Sequence, residues 1–183
     1  MATSLGELSA SPAVSVILPV LNEEAHLEDS ILAILSQDYQ GSFEVILALG
    51  PSRDRTNEIA DALAAKDARV KLVANPTGKT AAGLNLAVAA SQNPVIVRVD
   101  GHAEIPKNYL SLAVEILRQT GAVNVGGVMA AEGVTKFEKA VARAMRSPLG
   151  VGASRFHTGG EAGEVDTVYL GSFRREAINQ AGG

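Results

Sequence analysis

Short apolar runs alternate with amphipathic stretches along this chain, and each pattern keeps its own period. Residues 14–20 form a run rich in β-branched side chains, and residues 43–49, 70–73 and 95–99 repeat it. Between these runs Leu27, Ile31, Ile34 and Leu35, and then Ile59, Ala60 and Leu63, fall at helical spacing. The small-residue stretch 79–91 can pack closely on a sheet. Pro106 suits the first position of a helix reaching about Thr120, with Leu110, Val114 and Leu117 inward. Strands that read as continuous apolar runs, alternating with helices, predict right-handed parallel crossovers. The expected fold is a three-layer α/β/α sandwich on a mostly parallel central sheet.

Further along, residues 122–131 read as a strand through Gly126-Gly127, residues 135–146 as an amphipathic helix, and residues 165–170 as a returning strand. The intervening span to Gly163 is polar, glycine-rich and irregular, and loops of that length are usually functional or mobile. Residues 1–12 are small and polar, a flexible segment before one domain over 13–183. No repeat or linker divides it. The end, from Ala177 to Gly183, stops just after a helical start, so the domain is expected to be truncated there.

Composition narrows the function classes. A net charge of -4 with 4% aromatics argues against a nucleic-acid partner, which would need a basic stripe and stacking surfaces. The absence of cysteine removes disulfides and thiolate chemistry. The N-terminus has no signal-peptide pattern, and no apolar run approaches the roughly 20 residues that span a bilayer.

The candidate chemistry lies at strand ends, because ligands of open α/β sheets bind outside the carboxyl ends of the strands. Pro19, Leu21, Asn22 and Glu23 close the first strand, with Asn22 placed to cap a helix and Glu23 in its first turn. Gly50 and Ser52 follow the second strand, where Ser52 or Asp54 can cap the next helix. Lys79 follows the turn 75–78. Asp100-Gly101-His102 follows the fourth strand. A carboxylate and an imidazole two residues apart can hold a divalent cation against a phosphate. Taken alone, the tripeptide reads first as a turn, Glu23 as a helix-dipole residue and Lys79 as a solvated lysine. Together they suit a nucleoside diphosphate.

Other phosphate loops fail on spacing. Gly78-Lys79-Thr80 would put the first Walker glycine at Val73, inside a strand, and Gly150-Val151-Gly152 would put a fingerprint glycine at Arg155. There is no Gly-x-Ser-x-Gly elbow. Three histidines leave little room for a histidine-rich zinc site.

The opening Val16-Ile17-Leu18-Pro19-Val20-Leu21-Asn22-Glu23-Glu24 resembles that of family 2 glycosyltransferases. Residues 75–85 resemble the family's next segment, Asp100-Gly101-His102 stands at its Asp-x-Asp metal motif, and residues 165–175 are similar to its succinoglycan-biosynthesis branch. The resemblance implies a nucleotide-diphospho-sugar transferase fold and an inverting transfer of sugar from a nucleoside diphosphate sugar to a glycan or lipid-linked hydroxyl. It implies a manganese or magnesium ion on Asp100 and His102, a nucleotide against Asn22, Glu23 and Lys79, and an acceptor near Gly171 and Arg174. It also implies a general base beyond Gly183, with Asp166 the one candidate inside the chain. The expected setting is cytoplasmic, at the inner face of the plasma membrane through later segments.

Two departures stand out. The family's aspartate pair after strand two is replaced by Leu49-Gly50, so base selection is expected to rest on backbone groups. The third metal-motif position is His102, and an imidazole suits manganese better than magnesium. A sugar nucleotidyltransferase shares the layered fold but would carry a Gly-x-Gly-x-Arg loop after strand one, which Leu21-Asn22-Glu23 does not supply. A nucleotide-sugar-binding fragment without activity is the third reading.

Overall fold

The computed structural model describes residues 6–129, 135–147, 157 and 162–182. The elements run β1 (Val14–Val20), α1 (Leu27–Leu35), β2 (Phe43–Leu49), α2 (Thr56–Lys66), β3 (Val70–Ala74), α3 (Thr80–Ala90) and β4 (Val95–Arg98). They continue with α4 (Tyr109–Thr120), β5 (Asn124–Gly127), α5 (Lys136–Met145), β6 (Tyr169–Arg174) and α6 (Arg175–Ala181). The six strands lie in the order β3-β2-β1-β4-β6-β5. The chain divides into two compact units, residues 1–125 with 172–183, and residues 126–171.

The first unit holds the core. β1 pairs in parallel with β2 from Val14 opposite Phe43 to Val20 opposite Leu49, and with β4 from Val14 opposite Val95 to Ile17 opposite Arg98. On one face Ile17, Ile46, Ala48 and Ile96 pack with Ala87 of α3, and Ile178 of α6 lies against the same cluster. The alternate residues Val16, Leu18, Val45, Leu47 and Val97 are buried on the other face. Leu27, Ile31 and Ile34 of α1 and Leu110 and Leu117 of α4 are fully buried as well. The Gln37 side chain ties these two helices, donating to Pro106 O at 2.8 Å and accepting from Leu110 N at 3.0 Å. The three-layer sandwich predicted from the periods is the observed fold.

Two element starts differ from the sequence reading by several residues. Pro106 precedes α4 by a turn instead of starting it. The last strand begins at Tyr169, not Val165, and runs antiparallel to β4 with Arg174 opposite Val95. The alternation of residue types carries no sign of strand direction, so only the pairing reveals the reversal. Part of the strand expected over 122–131 and most of the irregular span lie outside the described residues.

Pro19 is the penultimate residue of β1, near the strand's end as the sequence reading has it. Alternation along the strand aims its nitrogen at the β4 side, where pairing with β4 has already ended at Ile17. Val99 N still donates to Ile17 O at 3.0 Å, and the ladder stops where Pro19 has no donor to continue it.

In the second unit, β5 passes so close to its neighbour β6 that a Cβ on Gly126 would lie 2.5 Å from Tyr169 O. Helix α5 begins with a capping box: Glu138 N donates to Thr135 Oγ1 at 3.2 Å, and Thr135 N donates to Glu138 Oε2 at 2.9 Å.

α3 lies close on the sheet because Gly83 faces it. A Cβ there would sit 2.8 Å from Asn75 Nδ2, 3.3 Å from Pro19 Cβ and 3.4 Å from Ala48 Cβ. Asn75 is buried, and its Nδ2 donates to Lys79 O at 3.1 Å, so it cannot withdraw without losing that bond. Alanine in place of a mid-helix glycine normally stabilises by about 1 kcal/mol. Here overpacking of about 1–3 kcal/mol should outweigh that gain. Gly83→Ala is expected to lower the urea midpoint, and a raised midpoint would contradict the packing account.

Candidate functional site

The carboxyl ends of β1, β2 and β4 in the first unit deliver three irregular turns to one rim. The turn after β1 is held by the loop before α2. Asn22 takes a left-handed conformation with φ of 56°, which asparagine tolerates better than most residues. Its backbone N–H donates to Ser52 Oγ at 3.1 Å, and its Oδ1 accepts from Arg53 N at 2.8 Å. Asn22 is thus a loop clamp, not the cap of α1, which begins at Leu27 without a side-chain cap. Glu23 likewise lies ahead of that helix, its carbonyl accepting from His26 N and Leu27 N.

Thr56, the first residue of α2 and fully buried, joins the two loops. Its hydroxyl accepts from Glu23 N at 2.7 Å and donates to Asp54 Oδ1 at 2.5 Å. Asp54 also accepts from Thr56 N and, through Oδ2, from Glu24 N. Of the two capping candidates, Asp54 therefore bonds the helix start, while Ser52 is turned to Asn22. The Thr56 hydroxyl, with the Thr56 and Glu24 amides behind it, holds the Asp54 carboxyl below the usual aspartate range. The bonding of a depressed carboxylate is present above the ordinary value of about 3.9 and is lost as the pH falls through its folded value.

The β1 turn also reaches the β4 turn. Glu23 Oε1 lies 3.0 Å from His102 Nδ1, and Glu23 crosses directly over Gly101, where a Cβ would meet Glu23 Cγ at 3.0 Å. Asp100 is engaged on its other side, with Oδ1 accepting from Arg98 Nε at 3.0 Å and Nη2 of the same guanidinium at 3.0 Å. Behind them, Leu21 covers Gly50 and Gly78: a Cβ on Gly50 would lie 2.9 Å from Leu21 Cδ1. Gly50 N donates to Val20 O at 2.8 Å, so the β2 exit is stitched to the β1 exit. Lys79 is exposed just before α3, its amide donating to Thr77 Oγ1.

The donors at the rim fit a divalent cation in part. Among the described residues no group of three or more His, Cys, Asp or Glu side chains is gathered as a metal cage. Asp100 keeps one carboxylate oxygen outside its ion pair, and His102, whose side chain is 59% exposed, keeps Nε2 outside its contact with Glu23. One oxygen and one nitrogen suit an ion that completes its shell with phosphate oxygens and water. Both pairs are partly exposed, and such pairs contribute about 0–1 kcal/mol, so neither locks the site.

The structure thus gathers Leu21, Asn22, Glu23, Gly50, Ser52, Asp100, Gly101 and His102 at linked turns. Asp166 is an exposed bend residue before β6, not a strand residue. Arg174 does not face this rim. Its register with Val95 puts it at the amino end of β4, where its guanidinium donates to the carbonyls of Ala122, Leu117 and Gly6. Sequence reasoning missed Thr56 and Arg98. Arg98 stood two residues before Asp100, a spacing that allows an ion pair along extended chain; Thr56 left no comparable signal.

Residues 15–182 match the family described as Glycosyl transferase family 2. The chain belongs to that family. It is 34% identical over 182 residues to the succinoglycan biosynthesis protein ExoA of Rhizobium meliloti (strain 1021), covering 98% of this chain and 55% of that protein. The chain therefore spans little more than half the length of that curated relative. A mannosyltransferase from Pyrobaculum calidifontis, solved with GDP-Man and Mn2+, superposes with a TM-score of 0.69 at 24% identity, over 94% of this chain and 47% of the other. S. aureus TarS 1-349 with UDP-GlcNAc gives 0.67 at 19% identity, over 92% and 47%. The family's fold, a nucleotide-sugar transferase sandwich, is the fold described above.

Thr56→Val tests the link between the loops. The isosteric change leaves Glu23 N–H without its acceptor and Asp54 without its strongest donor. A loss of about 1–3 kcal/mol in urea unfolding is expected, with Thr56→Ser close to wild type. Equal stability of the valine and serine variants would show that the hydroxyl holds nothing.

Proposed function

We propose that this domain binds a nucleoside diphosphate sugar at the carboxyl rim of the sheet, together with a divalent cation on Asp100 and His102. The protein then transfers the sugar to a hydroxyl of a glycan or lipid-linked acceptor in polysaccharide synthesis. The observation that carries this reading is the Glu23–His102 contact across Gly101, which brings the turns after β1 and β4 to one point. Support also comes from the family membership, from the role that ExoA's name records, and from the nucleotide sugars present in the two solved relatives.

In this reading the chain's own residues do most of the binding. Leu21 with Gly50 offers an apolar ledge for the base, and the backbone of residues 50–52 takes the place of the family's aspartate pair. Lys79 supplies an ammonium toward phosphate. Glu23 fixes the His102 ring so that Nε2 faces outward, as partners behind metal ligands commonly do. A bound divalent ion would neutralise charge on the departing diphosphate. The acidic side chains of the rim are already engaged, Glu23 with His102, Asp54 with Thr56 and Asp100 with Arg98. We assign the general base to none of them.

Titration calorimetry with UDP and with GDP, each with and without manganese, tests the assignment. Manganese is expected to tighten binding of the preferred nucleotide. Asp100→Ala should abolish the manganese effect, and Glu23→Ala should weaken it by about ten- to hundredfold. Equal affinity with and without the ion would remove the metal from Asp100 and His102. Transfer of labelled sugar by the whole protein tests the activity itself.

A further inference from the structure

Helix α5 presents its apolar stripe outward. Phe137, Ala140, Val141 and Ala144 follow the i, i+3, i+4, i+7 pattern of a single helix face, and all four are exposed. Phe137 is 79% and Val141 42% exposed, while the buried residue of the helix, Ala142, lies on a different side. A helix packed for stability in water would turn this stripe inward. Beside it, at i, i+3 and i+7, stand Lys136, Lys139 and Arg143, with Glu138 occupied in the capping box. Three of the chain's 16 lysines and arginines thus line one border of the exposed apolar stripe.

We propose that α5 lies in the interface of an anionic phospholipid bilayer. Phe137 and Val141 enter the acyl boundary, and Lys136, Lys139 and Arg143 meet the headgroup phosphates. Among the described residues no helix is long and apolar enough to cross a membrane, so the contact is in the plane of the surface. This combination of an apolar face with flanking lysine and arginine is what interfacial helices use. Charge complementarity favours the bilayer over a second copy of the chain, whose own α5 would oppose cation to cation. The inference is independent of the donor site.

The chain contains no tryptophan, so Phe137→Trp creates a single reporter on the stripe. Its emission is read with the whole protein, against vesicles of phosphatidylcholine alone and of phosphatidylcholine with phosphatidylglycerol. The expected result is a solvent-exposed spectrum in buffer that shifts to the blue on anionic vesicles, together with cosedimentation. Changing Lys136, Lys139 and Arg143 together to glutamine should weaken that binding by about a hundredfold. No shift on anionic vesicles would overturn the proposal, as would equal binding to neutral ones. A blue emission already present in buffer would also overturn it, assigning the stripe to another segment if independent of dilution and to a second copy if not.

Discussion

Everything at the rim depends on a short chain of hydrogen bonds through one buried hydroxyl. The turn after β1 has no regular structure to fix it and contains a residue in the left-handed region. Thr56 grips Glu23 by its amide, and Asp54 holds Thr56 in turn. Ser52 and Arg53 secure Asn22 from the same loop. A buried hydroxyl that both accepts and donates leaves no polar group unpaired, so removing it costs more than one ordinary bond. The consequence is positional. Glu23 crosses close over Gly101, where a Cβ would meet its Cγ at 3.0 Å, and from there its Oε1 lies 3.0 Å from His102 Nδ1.

The same arrangement gives the rim its electrostatic character. Two acidic groups and two basic ones are interleaved as Arg98–Asp100 and Glu23–His102 across adjacent turns. Partly exposed contacts of this kind are weak beside a phosphate-bridged divalent ion. They order the side chains without committing them. The departure of His102 from a carboxylate thereby has a structural partner, because an imidazole can be oriented by Glu23 through one nitrogen while presenting the other.

Much of this was legible from residues alone, for identifiable reasons. Parallel strands buried on both faces are continuous apolar runs, so β1, β2 and β4 were plain, and the crossover rule then placed their carboxyl ends together. Asn22, Glu23, Gly50 and Asp100 could be singled out because a sheet edge is set by topology. What pattern could not reveal was direction and bonding. β6 has the composition of its neighbours yet runs the other way, which carries Arg174 to the amino end of β4, far from an acceptor at the rim. Asn22 has the residue type of a helix cap and a different job, since capping and left-handed turns favour the same amide side chain. Thr56 was invisible because a helix-opening threonine is ordinary in sequence.

The central claim is that these linked turns form one metal-assisted nucleotide site. Manganese is paramagnetic and broadens the amide signals of nearby residues, so its position can be read directly. With isotope-labelled protein and a nucleoside diphosphate, the account predicts broadening centred on residues 100–102 and extending to 22–23. Signals of residues 6–8, at the opposite end of the sheet, should stay sharp. Broadening centred away from Gly101, or spread evenly over exposed carboxylates, would contradict it.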